Sequence, residues 1–162
     1  KTQEAMLEKS KQLLEEVKLE TVDHVYQVNV GAAILCAQCC IPSMRAHGWG
    51  RIINISSELA LGLPTRTAYG GAKAALLSMT RTWALELARN SITVNAVAPP
   101  AVQTDLIRGV PKEKMQNLLQ RQAIHRYGNP EEVCNVIDFF VKLCESGRLS
   151  FIFSQFKIIF FK

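Results

Sequence analysis

Two short β-branched runs, Arg51-Ile-Ile-Asn-Ile-Ser56 and Ser91-Ile-Thr-Val-Asn-Ala-Val97, are the tightest constraint on what this chain can fold into. Each is close to continuously apolar instead of alternating, the pattern of a strand buried on both faces of a parallel sheet. Between them, Ala68 to Ala88 is rich in Ala and Leu and strongly helix-forming. Ahead of the first run, Val25 to Ala46 is helical and apolar around much of its circumference, suited to a sheet face or a subunit interface, with Pro42 placed to bend it. After the second run Pro99-Pro100 closes the strand. Val110 to Arg121 then reads as a helix opened by Pro111, and Pro130 to Cys144 as another, with Glu131-Glu132 at its positive amino end. Helix, strand, helix, strand, helix is an α/β alternation.

The remaining segments are less regular. Thr2 to Glu20 is rich in Glu, Lys, Gln and Leu, with Met6, Leu7, Leu13, Leu14 and Val17 near helical spacing, and residues 1–21 are expected to form a polar amphipathic helix. Leu59 to Thr67 holds Gly62 and Pro64 and reads as a loop. Residues 147–162 are atypical: Leu149 to Phe161 is Phe- and Ile-rich and low in charge, and fits a last strand, an adhesive tail or foreign sequence. With no linker or internal repeat, the 162 residues are expected to form one domain around one core.

Charge and cysteine usage narrow the partners. The net charge of +5 arises from 19 basic and 14 acidic side chains that are scattered, not gathered into runs with interleaved aromatics, so no nucleic-acid partner is expected. Five cysteines, Cys36, Cys39, Cys40, Cys134 and Cys144, do not form the paired framework of a small secreted fold, which points to a reducing, cytoplasmic setting. Cys36-Ala-Gln-Cys39-Cys40 has a C-x-x-C spacing, but no second C-x-x-C or His pair accompanies it, and buried packing is expected instead of a metal site. The apolar runs Val28 to Ile41 and Phe151 to Phe161 fall short of the roughly 20 residues that span a bilayer, so no membrane span is expected.

The chemistry-bearing residues cluster around the two strands. Tyr69 and Lys73 stand at i and i+4, which places a phenol and an ammonium on one helix face. A phenol ordinarily titrates near ~10, and a neighbouring cation lowers that value, making proton exchange accessible. The Ser56-Ser57 pair ends the first strand, at the edge where open α/β sheets gather ligand-binding groups.

Asn29, Gly50-Arg-Ile-Ile-Asn-Ile-Ser56-Ser57, Tyr69-Gly-Gly-Ala-Lys73 and Asn95-Ala-Val-Ala-Pro99 ending in Thr104 together resemble the short-chain dehydrogenase/reductase family over roughly Val22 to Leu143. The resemblance implies an α/β fold of Rossmann type, a doubly wound parallel sheet, here incomplete because the front βαβ units are missing. It implies hydride transfer between NAD or NADP and a small-molecule carbonyl/alcohol pair, in the general manner of acyl-carrier-protein reductases and polyol or gluconate dehydrogenases. Tyr69 would be the acid/base, and Lys73 would lower its pKa and hold the nicotinamide ribose. Ser57 would polarise the substrate, with Ser56 the alternative because the interval to Tyr69 is one residue short of the common pattern. Asn29 would connect the lysine to solvent, and Asn95 would be structural. Tyr69, Lys73, Pro99, Val102 and Thr104 would line the nicotinamide. Pro100 departs from the family's Pro-Gly, which fixes φ and removes an N–H from that loop.

The family's T-G-x-x-x-G-x-G phosphate turn and its N-N-A-G segment are absent from these residues. The expectation is therefore a fragment of a dehydrogenase, inactive alone, whose upstream coding sequence supplies the glycine turn. The alternative is a non-catalytic interaction module. In the family the helices corresponding to 25–46 and 68–88 form the main subunit contact, which implies a homo-oligomer.

Overall fold

The computed structural model describes residues 11–105, 119–120, 125–142 and 158–160. It is a mixed α/β fold on a parallel sheet. Helix α1 runs without a break over Leu19–His47, with a π-type turn at Gln27–Gly31 inside it. Strand β1 is Gly50–Ile55, helix α2 Thr67–Leu87, strand β2 Ile92–Ala98, helix α3 Pro130–Lys142 and strand β3 Ile158–Phe160. The sheet order is β1-β2-β3, all parallel, with Ile52 opposite Val94 and Val97 opposite Ile159.

The two β-branched runs are the strands, each displaced by one residue, β1 toward the amino end and β2 toward the carboxyl end. Ser91 is not part of β2: it adopts left-handed geometry (φ 58°) after a 3-10 turn at Ala88–Asn90, and the strand begins one residue later. Strand β2 is the centre of the fold, with Val94, Ala96, Val97 and Ala98 fully buried. Ile92 and Val94 pack with Ala84 and Leu87 of α2 and with Ile41, Met44 and Ile52, so α1 and α2 share one cluster. Helix α3 packs on β1 and β2 and buries Phe140.

Three expectations need correction. The segment ahead of Leu19 is not a helix where it is described. Gln12 pairs with Arg66 and its N–H donates to the Thr65 carbonyl (3.1 Å), and only a 3-10 turn at Leu14–Glu16 follows. Pairing with a distant loop outweighs the helix propensity of Glu, Lys and Leu here. Helix α1 starts six residues before Val25, so the apolar run belongs to a 29-residue helix that is long and apolar enough, by length and composition only, to cross a membrane. Within the fold it serves as a packing helix, with Val22, Val25 and Val30 against Ala68, Tyr69 and Ala72. Finally, Cys36, Cys39 and Cys40, expected to be buried, are exposed, because nothing in the described chain covers that part of the α1 surface. The Val110 to Arg121 helix lies outside the described residues but for Leu119 and Gln120, as does most of 147–162, of which the backbone of Ile158–Phe160 forms β3.

Helix α1 ends at Gly48, whose left-handed backbone (φ 60°) lets the Gly48 and Trp49 N–H groups cap the Arg45 and Met44 carbonyls. At the start of α2 two glycines permit close approach. A Cβ on Gly70 would lie 2.9 Å from the Leu59 backbone oxygen, whereas one on Gly71 would meet the Tyr26 hydroxyl, the far end of a side chain, also at 2.9 Å. Gly70→Ala is therefore expected to lose about 1–3 kcal/mol, the scale of overpacking against a backbone that cannot yield. Gly71→Ala should be nearly neutral, since Tyr26 can swing aside and Ala favours the helix. Urea unfolding of the two variants side by side checks the contrast.

Candidate active site

Because β1 and β2 are parallel, their carboxyl ends open on the same edge of the sheet. The chain leaving β1 is held there by the Ser56 N–H donating to the Val97 carbonyl (2.7 Å) and the Glu58 N–H donating to the Pro99 carbonyl (3.0 Å). Ser57, in extended geometry, caps the 3-10 turn Glu58–Leu61, its hydroxyl accepting from the Leu59 N–H (3.2 Å). The loop expected over Leu59 to Thr67 thus begins with a helical turn. It ends at Thr65, a β-branched residue with φ 68°, pinned by the Gln12 pairing just before α2 starts.

The first turns of α2 bring the second half of the cluster to this edge. Tyr69 and Ser57 share a side-chain hydrogen bond. The Lys73 ammonium lies 5.6 Å from the Tyr69 ring centroid and donates to the Ile55 carbonyl at the end of β1 (2.9 Å). The two serines are sharply distinguished. Ser56 is 3% exposed and its hydroxyl donates to the Lys73 backbone carbonyl (2.7 Å), so it faces the helix, while Ser57 faces the phenol.

Both titratable groups are shifted by their surroundings. Burial pushes the Tyr69 phenol above its ordinary value, with the Arg66 charge and the Ser57 hydrogen bond pulling the other way. Burial holds the Lys73 ammonium below the usual lysine range. The sequence-based expectation assigned the lowering of the phenol to Lys73. In this arrangement the lysine's charge is turned onto Ile55, and Arg66, one helical turn before Tyr69, is the cation that acts on the phenol. Arg66 was missed because its distance from a strand terminus gave no signal; the i, i+3 spacing to Tyr69 is the clue that was available.

Asn29 sits half-buried on the π-type turn of α1, where its amide donates to the Val25 carbonyl (2.9 Å). That turn packs against α2, so Asn29 is on the neighbouring helix but bonded to its own backbone. After β2, Val102 bridges to Gly128, with the Gln103 N–H donating to the Gly128 carbonyl (2.8 Å) and the Gly128 N–H to the Ala101 carbonyl (3.0 Å). Pro99 is tied to Glu58, and Thr104 is exposed on the same loop. Glu132 anchors the far side: Arg126 grips its carboxylate through both oxygens (2.6 and 2.8 Å), the Asn129 N–H donates to it, and its pKa falls to about 2. Among the described residues no group of three or more His, Cys, Asp or Glu side chains is arranged to hold a metal ion.

A parallel sheet flanked by helices, with serine, tyrosine and lysine converging beyond the carboxyl ends of two adjacent strands, places the chain in the Rossmann-like α/β class. A family model described as enoyl-(acyl carrier protein) reductase matches residues 3–147. The 3-oxoacyl-[acyl-carrier-protein] reductase FabG of Thermotoga maritima is 39% identical over 128 residues, covering 78% of this chain and 52% of the relative. The cis-4-hydroxycyclohexanecarboxylate dehydrogenase of Sinomonas cyclohexanicum is 35% identical over 127 residues, covering 78% and 51%. A Beutenbergia cavernae crystal structure, described provisionally as an NAD(P) dependent gluconate 5-dehydrogenase with NADP bound at low occupancy, is similar with a TM-score of 0.78 and 30% identity, covering 91% of this chain and 59% of that one. The chain belongs to the classical short-chain dehydrogenase/reductase family. It spans about half the length of the curated relatives it matches.

Proposed function

We propose that this chain is the catalytic, carboxy-terminal portion of an NAD(P)-dependent oxidoreductase that interconverts a carbonyl and an alcohol. The observation that carries this reading is the gathering of Ser57, Tyr69 and Lys73 at the shared carboxyl edge of β1 and β2, with the Lys73 ammonium 5.6 Å from the Tyr69 ring centroid and bonded to the Ile55 carbonyl (2.9 Å). Ser57 would donate to the substrate oxygen as negative charge develops on it. Tyr69 would deliver a proton to that oxygen in reduction and remove it in oxidation.

The residues fit the nicotinamide end of a dinucleotide. An ammonium carries three N–H donors, and Lys73 commits one to Ile55, leaving two for the ribose hydroxyls. Pro99, Val102 and Thr104 lie on the loop that leaves β2 on this edge. Bound there, the nicotinamide would supply or accept the hydride. Asn29 would link the lysine to solvent from the π-type turn. No glycine-rich phosphate turn occurs in residues 1–162, so the pyrophosphate grip would come from chain outside them, and these residues alone would be inactive. The odd number of cysteines, without the paired framework of a small secreted fold, fits a reducing cytoplasm as the setting.

A second reading, a non-catalytic interaction module, draws on the exposed apolar surface of α1, where Leu35 is 63% exposed. On either reading that helix and α2 would meet a second copy. Two measurements separate them. Full-length protein should oxidise NADPH in the presence of acetoacetyl-coenzyme A or 5-keto-gluconate, and absence of turnover with a panel of carbonyl substrates would favour the module. The 162-residue chain titrated with NADH and NADPH by fluorescence should show no binding, and micromolar affinity would mean that a phosphate site exists within it.

A further inference from the structure

We infer that Asn54, Ser56 and Thr80 are positioning residues that fix where α2 sits along β1, and so set the Ser57–Tyr69 contact on which the proposed function rests. The helix stripe that faces the strand comprises Tyr69, Lys73, Leu76 and Thr80, spaced i, i+4, i+7 and i+11. Leu76 (3% exposed) and Ala84 (1%) give that stripe apolar contact, which is non-directional and tolerates sliding. Hydrogen bonds, with their narrow distances and angles, do not.

Three such bonds tie the helix to the strand. The Asn54 amide donates to the Thr80 hydroxyl (2.8 Å), the Ser56 hydroxyl to the Lys73 carbonyl (2.7 Å), and the Lys73 ammonium to the Ile55 carbonyl (2.9 Å). Thr80 spends its only proton on the Leu76 carbonyl (2.7 Å), so toward Asn54 it can only accept. Asn54, Ser56 and Thr80 are buried, at 7%, 3% and 0% exposed, so a lost partner leaves a polar group largely out of reach of bulk water. Asn54, on β1, and Ser56, one residue past its end where the Ser56 N–H still donates to Val97, are two apart and share one face. Thr80 and Lys73 are two helical turns apart, so the ties fix both the axial position and the direction of α2. Ser57 follows Ser56 and Tyr69 lies one turn from Lys73, which transmits the placement to the reacting pair. An axial slip by one residue is ~1.5 Å, and a misplacement of about 1 Å can cost about a hundredfold in rate.

The test compares Thr80→Val, which keeps the shape and removes the hydroxyl, with Thr80→Ser, which keeps the hydroxyl. In full-length protein assayed with NADPH and acetoacetyl-coenzyme A, Thr80→Val and Ser56→Ala should lower kcat by about tenfold or more with KM for NADPH little changed, while Thr80→Ser stays within about threefold of the parent. A readout independent of turnover is the pH dependence of Lys73 acetylation by acetic anhydride, followed by mass spectrometry. Its midpoint should move up toward the ordinary lysine value in Thr80→Val and not in Thr80→Ser. The double variant Asn54→Leu/Thr80→Val leaves no buried polar group unpaired and guards against loss of folding. Equal kcat losses in Thr80→Ser and Thr80→Val, or an unchanged acetylation profile in Thr80→Val, would overturn the inference. If the parent has no NADPH turnover the proposed function fails, and the acetylation profiles still decide the positioning role.

Discussion

Tyr69→Phe should lower turnover in the full-length protein by about two orders of magnitude or more, the scale of lost acid–base catalysis, with little change in nicotinamide affinity. The substitution keeps the ring that packs with Val25, Ala68 and Ala72 and deletes only the hydroxyl shared with Ser57. Burial raises the phenol's pKa, so at neutral pH Tyr69 holds its proton and is poised as an acid. Carbonyl reduction should therefore be sustained at neutral pH and fade as the phenol ionises, whereas alcohol oxidation, which needs the phenolate, should climb through the alkaline range. Initial rates in both directions across pH, for parent and variant, check this. Near-parental rates for Tyr69→Phe would remove the acid/base assignment and favour the interaction module.

Lys73→Met should reduce catalysis and cofactor affinity together, unlike Tyr69→Phe, because it removes both the ammonium that ties α2 to the end of β1 beside Tyr69 and the donors that would meet a ribose. A combined loss in kcat/KM of about a hundredfold or more is expected. Stability should respond differently. The lysine's pKa is lowered by burial, so the folded state resists protonation of this side chain. As pH falls from the ordinary lysine value through the depressed one, the unfolded chain takes up the proton first, and the parent loses stability that the methionine variant keeps. The parent should gain on Lys73→Met as pH rises through that window. Urea midpoints at neutral and alkaline pH measure it, and a gap that stays constant across the window would mean that burial does not govern this lysine.

Much of this was legible from residues whose pattern is local. The β-branched runs gave both strands within a residue, because a strand buried on both faces tolerates little else, and the i, i+4 spacing brought Tyr69 and Lys73 to one face. The parts that escaped depend on partners far away in the chain. Gln12 leaves the helical pattern because it pairs with Arg66, more than fifty residues on. Ser56 and Ser57 are indistinguishable as letters. What separates them is the extended chain leaving β1, which turns one hydroxyl toward the Lys73 carbonyl and leaves the other for Tyr69. Likewise Cys36, Cys39 and Cys40 sit in an apolar run that predicts burial, and their exposure follows from which side of α1 meets α2.

The sheet order has a consequence for how this chain can be handled. Among the described residues β1 is bonded to β2 along one side only, so its other side, apart from the Ile55 carbonyl that accepts from Lys73, is an unpaired margin of the sheet. A polypeptide offering a matching strand would extend the sheet there through backbone bonds alone. Separately expressed halves of such a fold are thus candidates for reconstitution by mixing. Left unpaired, the same margin would invite copies of the chain to stack on one another.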